Sequence, residues 1–288
     1  MTRVALAMVF AMCLACAAVA ARGEAPTQGK QVSILFVGNS YTQVNSLDRL
    51  VQALLESQGW KVRISGYMMG GMALQDHWNH NAGTLSEADE KDANRAKTAA
   101  GRKGRLDTLL REQGPWDYVV LQGQSRDTLD GQKWEFPKFA KLLAGKIREA
   151  GPNTKVVFYL TWARQHLPHE QAIITKAYLA AARENKALAA PVGEAWKDAL
   201  AARPDLKLHQ EDKSHPTAPG SYLAGCVFYA TLTGQSPVGL PGRITTIRAG
   251  KEGRPVYDLK DADARFLQET AWKTVQRVKA ESAKPAGP

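Results

Sequence analysis

The sequence predicts an α/β protein, a three-layer α/β/α sandwich around a mainly parallel sheet of about five strands. Two observations lead to this fold class. Short apolar runs alternate with longer segments of helical periodicity along the 288 residues, and neither an internal repeat nor an interdomain linker interrupts them. Strands that alternate with helices favour a parallel sheet with helices on both faces.

Five strands are predicted in chain order. The first is almost continuously apolar, which is typical of a strand buried on both faces of a sheet. Four further segments are also predicted to be strands. The predicted strands are Gln31–Val37, Trp60–Tyr67, Asp117–Leu121, Lys155–Leu160 and Leu188–Val192.

Helices are predicted where apolar residues recur every three to four positions. Gly59 ends the first of them, and Gly151 followed by Pro152 ends the second. The stretch from Met72 to Arg105 is long for a connection, so we expect it to carry helices of its own over the site. The predicted helices are Leu47–Gln58, Phe136–Ala150, Pro168–Lys186, Pro219–Leu232 and Arg265–Lys279.

The first 20 residues have the features of an export signal. Arg3 precedes a nearly apolar run, and Ala18-Val19-Ala20 offers the small-x-small pattern of a cleavage site. We therefore expect a signal peptide at 1–20 with cleavage near Ala20, a flexible leader at 21–30 and one domain at 31–283. The protein is expected to be secreted or periplasmic. The apolar run is short for a membrane span, so no stable membrane insertion is expected after cleavage, with an uncleaved anchor as the alternative.

Cysteine count and charge narrow the class further. Cys13 and Cys16 lie in the signal, so the mature chain keeps only Cys226, which we expect to be buried and inert. The net charge is +10, but acidic residues are mixed among the bases of the densest stretch, Lys91–Arg111. This mixture favours a solvated helix face over a nucleic-acid site, with attraction to an anionic polysaccharide as the alternative.

Polar and glycine residues follow the predicted strands, where parallel sheets present ligands. Ser40 follows the first strand, and Asp212 and His215 form an Asp-x-x-His motif near the C-terminal end. A serine, an imidazole and a carboxylate are the groups that acyl transfer needs: nucleophile, base and the acid that orients the base. Backbone N–H groups and side-chain amides nearby can stabilise an oxyanion.

These motifs resemble those of the SGNH (GDSL-like) hydrolases over roughly residues 32–232. Gly38-Asn39-Ser40 is similar to the first block of that family, Gly70-Gly71 to the second, and Asp212-x-x-His215 followed by Pro216 to the last. The resemblance implies a flavodoxin-like sandwich and a serine esterase. Ser40 would be the nucleophile, His215 the base and Asp212 its orienting acid. The N–H groups of Ser40 and of Gly70 or Gly71 would bind the oxyanion.

The third block departs from the family pattern of Gly-x-Asn-Asp. Gln122-Gly123-Gln124-Ser125 stands in its place and is closer to the Gln-Gly-Glu of the carbohydrate acetylesterase-like branch. The resemblance implies that the side-chain amide of Gln124 completes the oxyanion hole, with Gln122 as the alternative donor.

Further residues are candidates for substrate contact. Tyr41, Trp78 and Trp162 follow strands or lie in loops near the site, where aromatic rings can stack on a sugar or line an acyl pocket; ordinary packing is the alternative. Arg164 is expected to bind an anionic substrate group, with a surface salt bridge as the alternative.

No metal site and no cofactor are implied. His77 and His80, and also His166 and His169, are spaced to share a helix face. Neither pair has a nearby cysteine or a spaced set of carboxylates, and Pro168 disrupts the second pair. No glycine-rich phosphate loop is present either, because Gly38-Asn39-Ser40 lacks the lysine of a P-loop.

The function predicted from these residues is hydrolysis of a carboxylic ester through an acyl-enzyme. A short-acyl (O-acetyl) ester on a carbohydrate is the first choice of substrate, so a small molecule or a polysaccharide ester is the expected partner. A lipid or aryl ester, or a thioester, is the alternative within the enzyme class. A non-catalytic glycan-binding module of the same fold is the alternative outside it.

Overall fold

Within the part of the chain that the structure describes, the sheet is fully parallel and has five strands, as the alternating pattern predicts. The computed structural model describes residues 29–85, 90–129, 135–245 and 257–283. The strands lie in the order β2-β1-β3-β4-β5, which confirms the predicted fold class. Their bounds are β1 Gln31–Gly38, β2 Lys61–Met68, β3 Tyr118–Leu121, β4 Lys155–Tyr159 and β5 Leu188–Ala190.

Register brings the loops of the site to one edge of the sheet. Val37 of β1 lies beside Tyr67 of β2 on one side and Leu121 of β3 on the other, and Leu121 lies beside Phe158 of β4. The carboxyl ends of these four strands are therefore level. The residues that follow them meet at the same edge, as expected for a parallel sheet.

Four helices of the described ranges cover one face of the sheet, and alternate residues of β1 point toward it. Val32, Ile34 and Phe36 belong to this core with side chains of the four helices. The helices are α2 Leu47–Glu56, α8 Val192–Ala202, α9 Ala218–Thr233 and α10 Asp261–Ser282.

The opposite face buries Leu35 and Val37 of β1 against a second set of helices. Two cores on opposite sides of one sheet give the three layers of the predicted sandwich. The helices of this face are α3 Leu74–Ala82, α5 Arg105–Arg111, α6 Phe136–Ala150 and α7 Gln171–Glu184.

Several boundaries differ from the prediction. The predicted helix 168–186 begins as a 3₁₀ turn, Pro168–Glu170, and becomes α-helical only from Gln171. The last helix begins four residues before Arg265, at Asp261, where acidic residues occupy its first turn. The long connection after β2 carries α3 and α4, Ala93–Ala100, as predicted.

A small antiparallel pair was not predicted. β6, Arg243–Ile244, pairs with β7, Tyr257–Asp258. Two residues a strand are too few for an alternating pattern to be recognised in the sequence.

The proposed signal peptide and most of the leader lie outside the described residues. None of the helices described is long and apolar enough to cross a membrane.

Candidate active site

The nucleophile candidate stands on a sharp strand-to-helix turn. β1 ends at Gly38, and Ser40 begins the single-turn helix α1, Ser40–Gln43. Asn39 caps this turn, because its side-chain oxygen accepts a hydrogen bond from Tyr41 N at 3.1 Å. The turn places the Ser40 hydroxyl at the carboxyl edge of the sheet.

A chain of hydrogen bonds joins the three predicted catalytic residues. Ser40 Oγ lies 2.8 Å from His215 Nε2, and His215 Nδ1 is hydrogen-bonded to Asp212 Oδ2. This is the order of contacts that a serine nucleophile, a general base and an orienting acid require.

Asp212 is held as a carboxylate by its own turn. Its Oδ1 accepts hydrogen bonds from Ser214 N at 3.0 Å and His215 N at 2.9 Å. Partial burial favours the neutral acid, but the hydrogen bonds from His215 and from these two N–H groups outweigh it. The pKa of Asp212 is lowered to about 2. The carboxylate therefore stays charged beside the imidazole across the neutral pH range.

The turn that carries the acid and the base is anchored to β4. Trp162 Nε1 donates to Ser214 O at 2.9 Å, and Gln165 N donates to Lys213 O at 2.9 Å. These contacts set the height of the turn above the sheet, and thus the distance from His215 to Ser40.

Three backbone N–H groups are free to stabilise an oxyanion. Those of Ser40, Gly70 and Gly71 donate to no other group within the described chain. The two glycines follow β2 in a turn closed by Met72 N donating to Met69 O at 3.3 Å. Gly71 has φ of 75°, a conformation that favours glycine. The turn therefore presents exposed N–H groups beside the Ser40 loop.

The structure separates the roles of the two glutamines after β3. Gln122 is fully buried, and its Nε2 already donates to Asn39 Oδ1 at 2.6 Å and to Gly123 O at 2.7 Å. Both amide hydrogens are used, so the alternative of Gln122 as oxyanion donor is not supported.

Gln124 keeps its amide hydrogens available. Its Oε1 accepts a hydrogen bond from Arg126 N at 2.7 Å, and its backbone N–H donates to Asp127 Oδ2 at 2.9 Å. The side chain is partly exposed, and its Nε2 has no partner within the described residues. Gln124 stays the predicted side-chain donor.

Asn39 and Gln122 have a supporting role that the sequence did not predict. Asn39 Nδ2 donates to Met72 O at 2.8 Å and to Gly123 O at 3.0 Å, and Asn39 is buried. One side chain thus fastens the β2 and β3 loops to the nucleophile turn. The only signal in the sequence was the pairing of an asparagine before the serine with a glutamine directly after a strand.

Burial corrects the expectation for two aromatic residues. Tyr41 is 3% exposed and Trp162 is 1% exposed, so neither presents a ring face on which a sugar could stack. Their rings stack on each other with centroids 4.5 Å apart, and Trp162 stacks in turn on Trp196 at 3.9 Å. The rings support the site from below, while Tyr41 also meets the edge of His215.

Trp78 lies away from the three catalytic candidates. It packs between α3 and α6, where Lys146 Nζ stands 5.3 Å from the ring centroid. It lines a surface cavity of about 600 Å³ whose other lining residues all belong to α6. Direct contact of Trp78 with a substrate at Ser40 is therefore not supported.

Arg164 lies beside the site without an ion pair. Its Nη2 is 3.3 Å from Ser125 Oγ, and no carboxylate in the described part of the chain lies within 4 Å. The alternative of a surface salt bridge is thus not supported.

The remaining candidates have no part in this arrangement. Cys226 is a free thiol, fully buried in α9, as predicted. His77 and His80 are buried in α3, whereas His166 and His169 are exposed. Nowhere in the described ranges do three metal-ligating side chains come together.

Comparison with known proteins finds solved structures of similar fold, but no matching family model and no matching curated protein. No protein-family model matches the chain, and no curated protein matches it. Among solved structures, a DUF4886 family protein from Bacteroides uniformis is similar with a TM-score of 0.61 and 19% identity, over 86% of this chain and 95% of that one.

Two further structures have similar scores. TesA matches with a TM-score of 0.50 and 18% identity, over 70% of this chain and 98% of its own. A protein described as a GDSL-like lipase from Parabacteroides merdae matches with a TM-score of 0.50 and 16% identity, over 72% and 97%. The resemblance predicted from the motifs is thus confirmed at the level of structure: the chain has the fold of the GDSL-like (SGNH) hydrolases.

Proposed function

We propose that this protein is a serine esterase that hydrolyses short-acyl esters, O-acetyl groups above all, on a carbohydrate. The observation that carries the proposal is the hydrogen-bonded series Ser40 Oγ, His215 and Asp212. Free backbone N–H groups stand beside it at Ser40, Gly70 and Gly71. A binding module has no need of a base within hydrogen-bond reach of its serine.

In the first half-reaction Ser40 Oγ attacks the ester carbonyl carbon while His215 Nε2 takes the hydroxyl proton. The carbonyl oxygen becomes an oxyanion, which the free N–H groups and Gln124 Nε2 would stabilise. The C–O bond to the alcohol then breaks, and the imidazolium returns its proton to the leaving oxygen. Asp212 keeps the imidazole oriented and stabilises its charged form.

In the second half-reaction water takes the place of the alcohol. His215 removes a proton from the water as its oxygen attacks the acyl carbon. The tetrahedral intermediate forms in the same oxyanion hole, and its collapse returns the proton to Ser40 Oγ. The products are the free acid and the regenerated enzyme.

Exposure of the catalytic turn supports a bulky alcohol. The side chains of His215 and Asp212 are 31% and 46% exposed, so solvent reaches the base directly. An open site can admit an ester carried on a large or polymeric alcohol, whereas lipid chains bind in enclosed apolar clefts. A lipid or aryl ester, or a thioester, is the alternative substrate that a chain-length panel would identify.

Turnover of p-nitrophenyl acetate tests the reaction class. We expect Ser40→Ala to lower kcat by about 10⁶ and to abolish labelling by a fluorophosphonate probe. Ser236→Ala, at an exposed serine far along the chain, is the matched control and should behave as wild type. A Ser40→Ala protein with a tenth of wild-type turnover would overturn the proposal.

The substrate is tested with a panel of acetylated oligosaccharides and of p-nitrophenyl esters from acetate to decanoate. Highest kcat/KM for acetyl groups on sugars supports the proposal, whereas highest kcat/KM for long acyl chains favours the lipid alternative.

We also propose that the protein acts outside the cytoplasm, after removal of residues 1–20. Mass spectrometry of the native protein should show a mature chain that starts near Ala21. An intact Met1 in the secreted or periplasmic fraction would contradict this.

A further inference from the structure

A second cavity lies directly behind the catalytic turn. It has a volume of about 300 Å³ and lies between the β4 loop, α8 and the segment that leads to Asp212. We call it the Arg164 pocket. Its polar lining residues are Arg164, Gln165, Gln171, Trp196, Lys197 and His209.

The Arg164 pocket has unused hydrogen-bond donors and few unused acceptors. Arg164 Nε and Trp196 Nε1 are buried N–H groups with no partner in the described structure. By contrast, Gln171 Oε1 already accepts from Ala163 N at 2.7 Å. Buried donors without partners are uncommon in native proteins, and they suit a ligand that is rich in acceptors.

The pocket carries positive charge, and one of its charged side chains, that of Arg164, has no counterion in the described part of the chain. Lys197 is paired with Glu194 at 2.7 Å, and burial lowers the pKa of His209, which favours its neutral form. Arg164 carries a charge that no carboxylate of the described residues balances. A ligand with its own carboxylate would supply both the negative charge and the acceptors.

Two contacts connect the lining of the Arg164 pocket to the loops of the catalytic site. Arg164 Nη2 lies 3.3 Å from Ser125 Oγ in the loop after β3. Gln165, the next residue, donates its backbone N–H to Lys213 O at 2.9 Å in the catalytic turn. Because β3 separates β4 from β1, the strands that carry Arg164 and Ser40 are about 10 Å apart.

We infer that the Arg164 pocket binds the carboxylate of an acidic sugar, so that the preferred substrates are O-acyl esters on uronate-containing carbohydrates. The position of the acid on the sugar rests on the proposed function, since an acetyl group has no carboxylate of its own. Binding of a carboxylate in the pocket does not depend on turnover.

Direct binding tests the pocket without catalysis. Calorimetry or NMR titration of the Ser40→Ala protein should show glucuronate binding at least tenfold more tightly than glucose. Arg164→Gln should weaken glucuronate binding about 10- to 100-fold, the usual cost of a charge-assisted hydrogen bond. Arg265→Gln is the matched control, because Arg265 is an exposed arginine of α10 paired with Glu269.

Two binding results would overturn the inference. One is glucuronate binding no tighter than glucose, and the other is glucuronate binding equally well to the wild-type pocket and to Arg164→Gln.

Kinetics then test the link to the substrate. The ratio of kcat/KM for an acetylated methyl glucuronoside to that for the matched acetylated glucoside should exceed ten in the wild type and fall toward one in Arg164→Gln. Arg265→Gln should keep the wild-type ratio. A ratio near one in the wild type would overturn the acidic-sugar assignment. Glucuronate binding without any ester turnover would refute the proposed function instead and leave carboxylate binding established.

Discussion

Asn39 and Gln122 exchange two hydrogen bonds across the ends of β1 and β3. Asn39 N donates to Gln122 Oε1 at 3.0 Å, and Gln122 Nε2 donates to Asn39 Oδ1 at 2.6 Å. Thr42 Oγ1 donates to the same Gln122 oxygen at 2.9 Å. The Gln122 amide thus holds the nucleophile turn in place through these hydrogen bonds. Gly38 has no side chain because a Cβ there would lie 2.7 Å from Gln122 Oε1.

Replacing Gln122 should lower the stability of the fold as well as the activity. Gln122→Leu leaves two buried donors, Asn39 N and Thr42 Oγ1, without their acceptor, and each such group costs about 1–3 kcal/mol. We expect the free energy of unfolding in urea to fall by about 3 kcal/mol or more. Gln122→Glu keeps the acceptor oxygen but loses both N–H donors. Its free energy of unfolding should lie between those of the wild type and Gln122→Leu. A Gln122→Leu protein with wild-type stability would contradict this role.

Gln124 should behave in the opposite way. Removing one oxyanion donor costs about 10² to 10³ in kcat, and the bond strengthens only in the transition state, so KM should hardly change. Steady-state kinetics of Gln124→Ala on one short-chain ester measure this. Stability should stay close to that of wild type, because the side chain is partly exposed. A kcat within twofold of wild type would leave only backbone N–H groups in the oxyanion hole.

The pH profile should identify the base and exclude the acid. The pKa of Asp212 is lowered to about 2, so this carboxylate stays charged above about pH 3. Loss of kcat/KM on acidification from neutral pH should therefore come from the general base and not from Asp212, because a base must be unprotonated to accept the Ser40 proton. A rate that stays flat down to pH 4 would rule out His215 as the base.

Asp212→Asn tests the orienting role separately. The amide keeps the shape of the side chain but favours the wrong imidazole tautomer, which costs about 10⁴ in kcat in triads of this kind. Single-turnover measurements on p-nitrophenyl acetate would show whether acylation is the step affected. A loss of less than tenfold would mean that Asp212 does not orient the base.

His77 should make the fold sensitive to acid. Burial, and then the charge of Arg102, lower the pKa of His77 to about 3. An unfolded chain binds a proton at this residue below about pH 6.5, whereas the folded chain stays neutral there until about pH 3. Stability is therefore lost as the pH falls through this window, by about 2 kcal/mol between pH 7 and pH 5.

Urea unfolding at the two pH values measures that slope. His77→Gln should unfold with a smaller difference between pH 7 and pH 5. His166→Gln, at an exposed histidine, should keep the wild-type difference. Equal slopes in all three proteins would show that His77 is not the group responsible.

Local motifs made part of the fold and site predictable. The continuous apolar run of β1 and the short spacing of Asp212 and His215 are local features, so the sequence alone indicates them. The sequence leaves open whether Gln122 or Gln124 is the oxyanion donor. The answer depends on which of the two side chains forms hydrogen bonds with the loop after β1. That packing is set by Asn39, 83 residues away from Gln122 in the chain.

The roles of the aromatic residues were not predictable for a related reason. Trp162 follows a strand end, as a substrate-stacking ring would, but α8 and α9 close over it and bring Trp196 against its face. Only the placement of helices distant in sequence decides whether such a ring faces solvent or core. The pairing of β6 with β7 likewise joins segments with no pattern of their own.

The acid and the base come from one four-residue turn, Asp212–His215, whose internal hydrogen bonds hold the two side chains together. Because both side chains belong to one turn, motion of the turn moves the carboxylate and the imidazole together. Their alignment is then less affected than that of two side chains on separate elements. The distance from the His215 imidazole to Ser40, by contrast, depends on the packing of segments that are far apart in the chain. Insertions in the neighbouring loops can therefore change which ligands reach Ser40 while the contact between Asp212 and His215 stays the same.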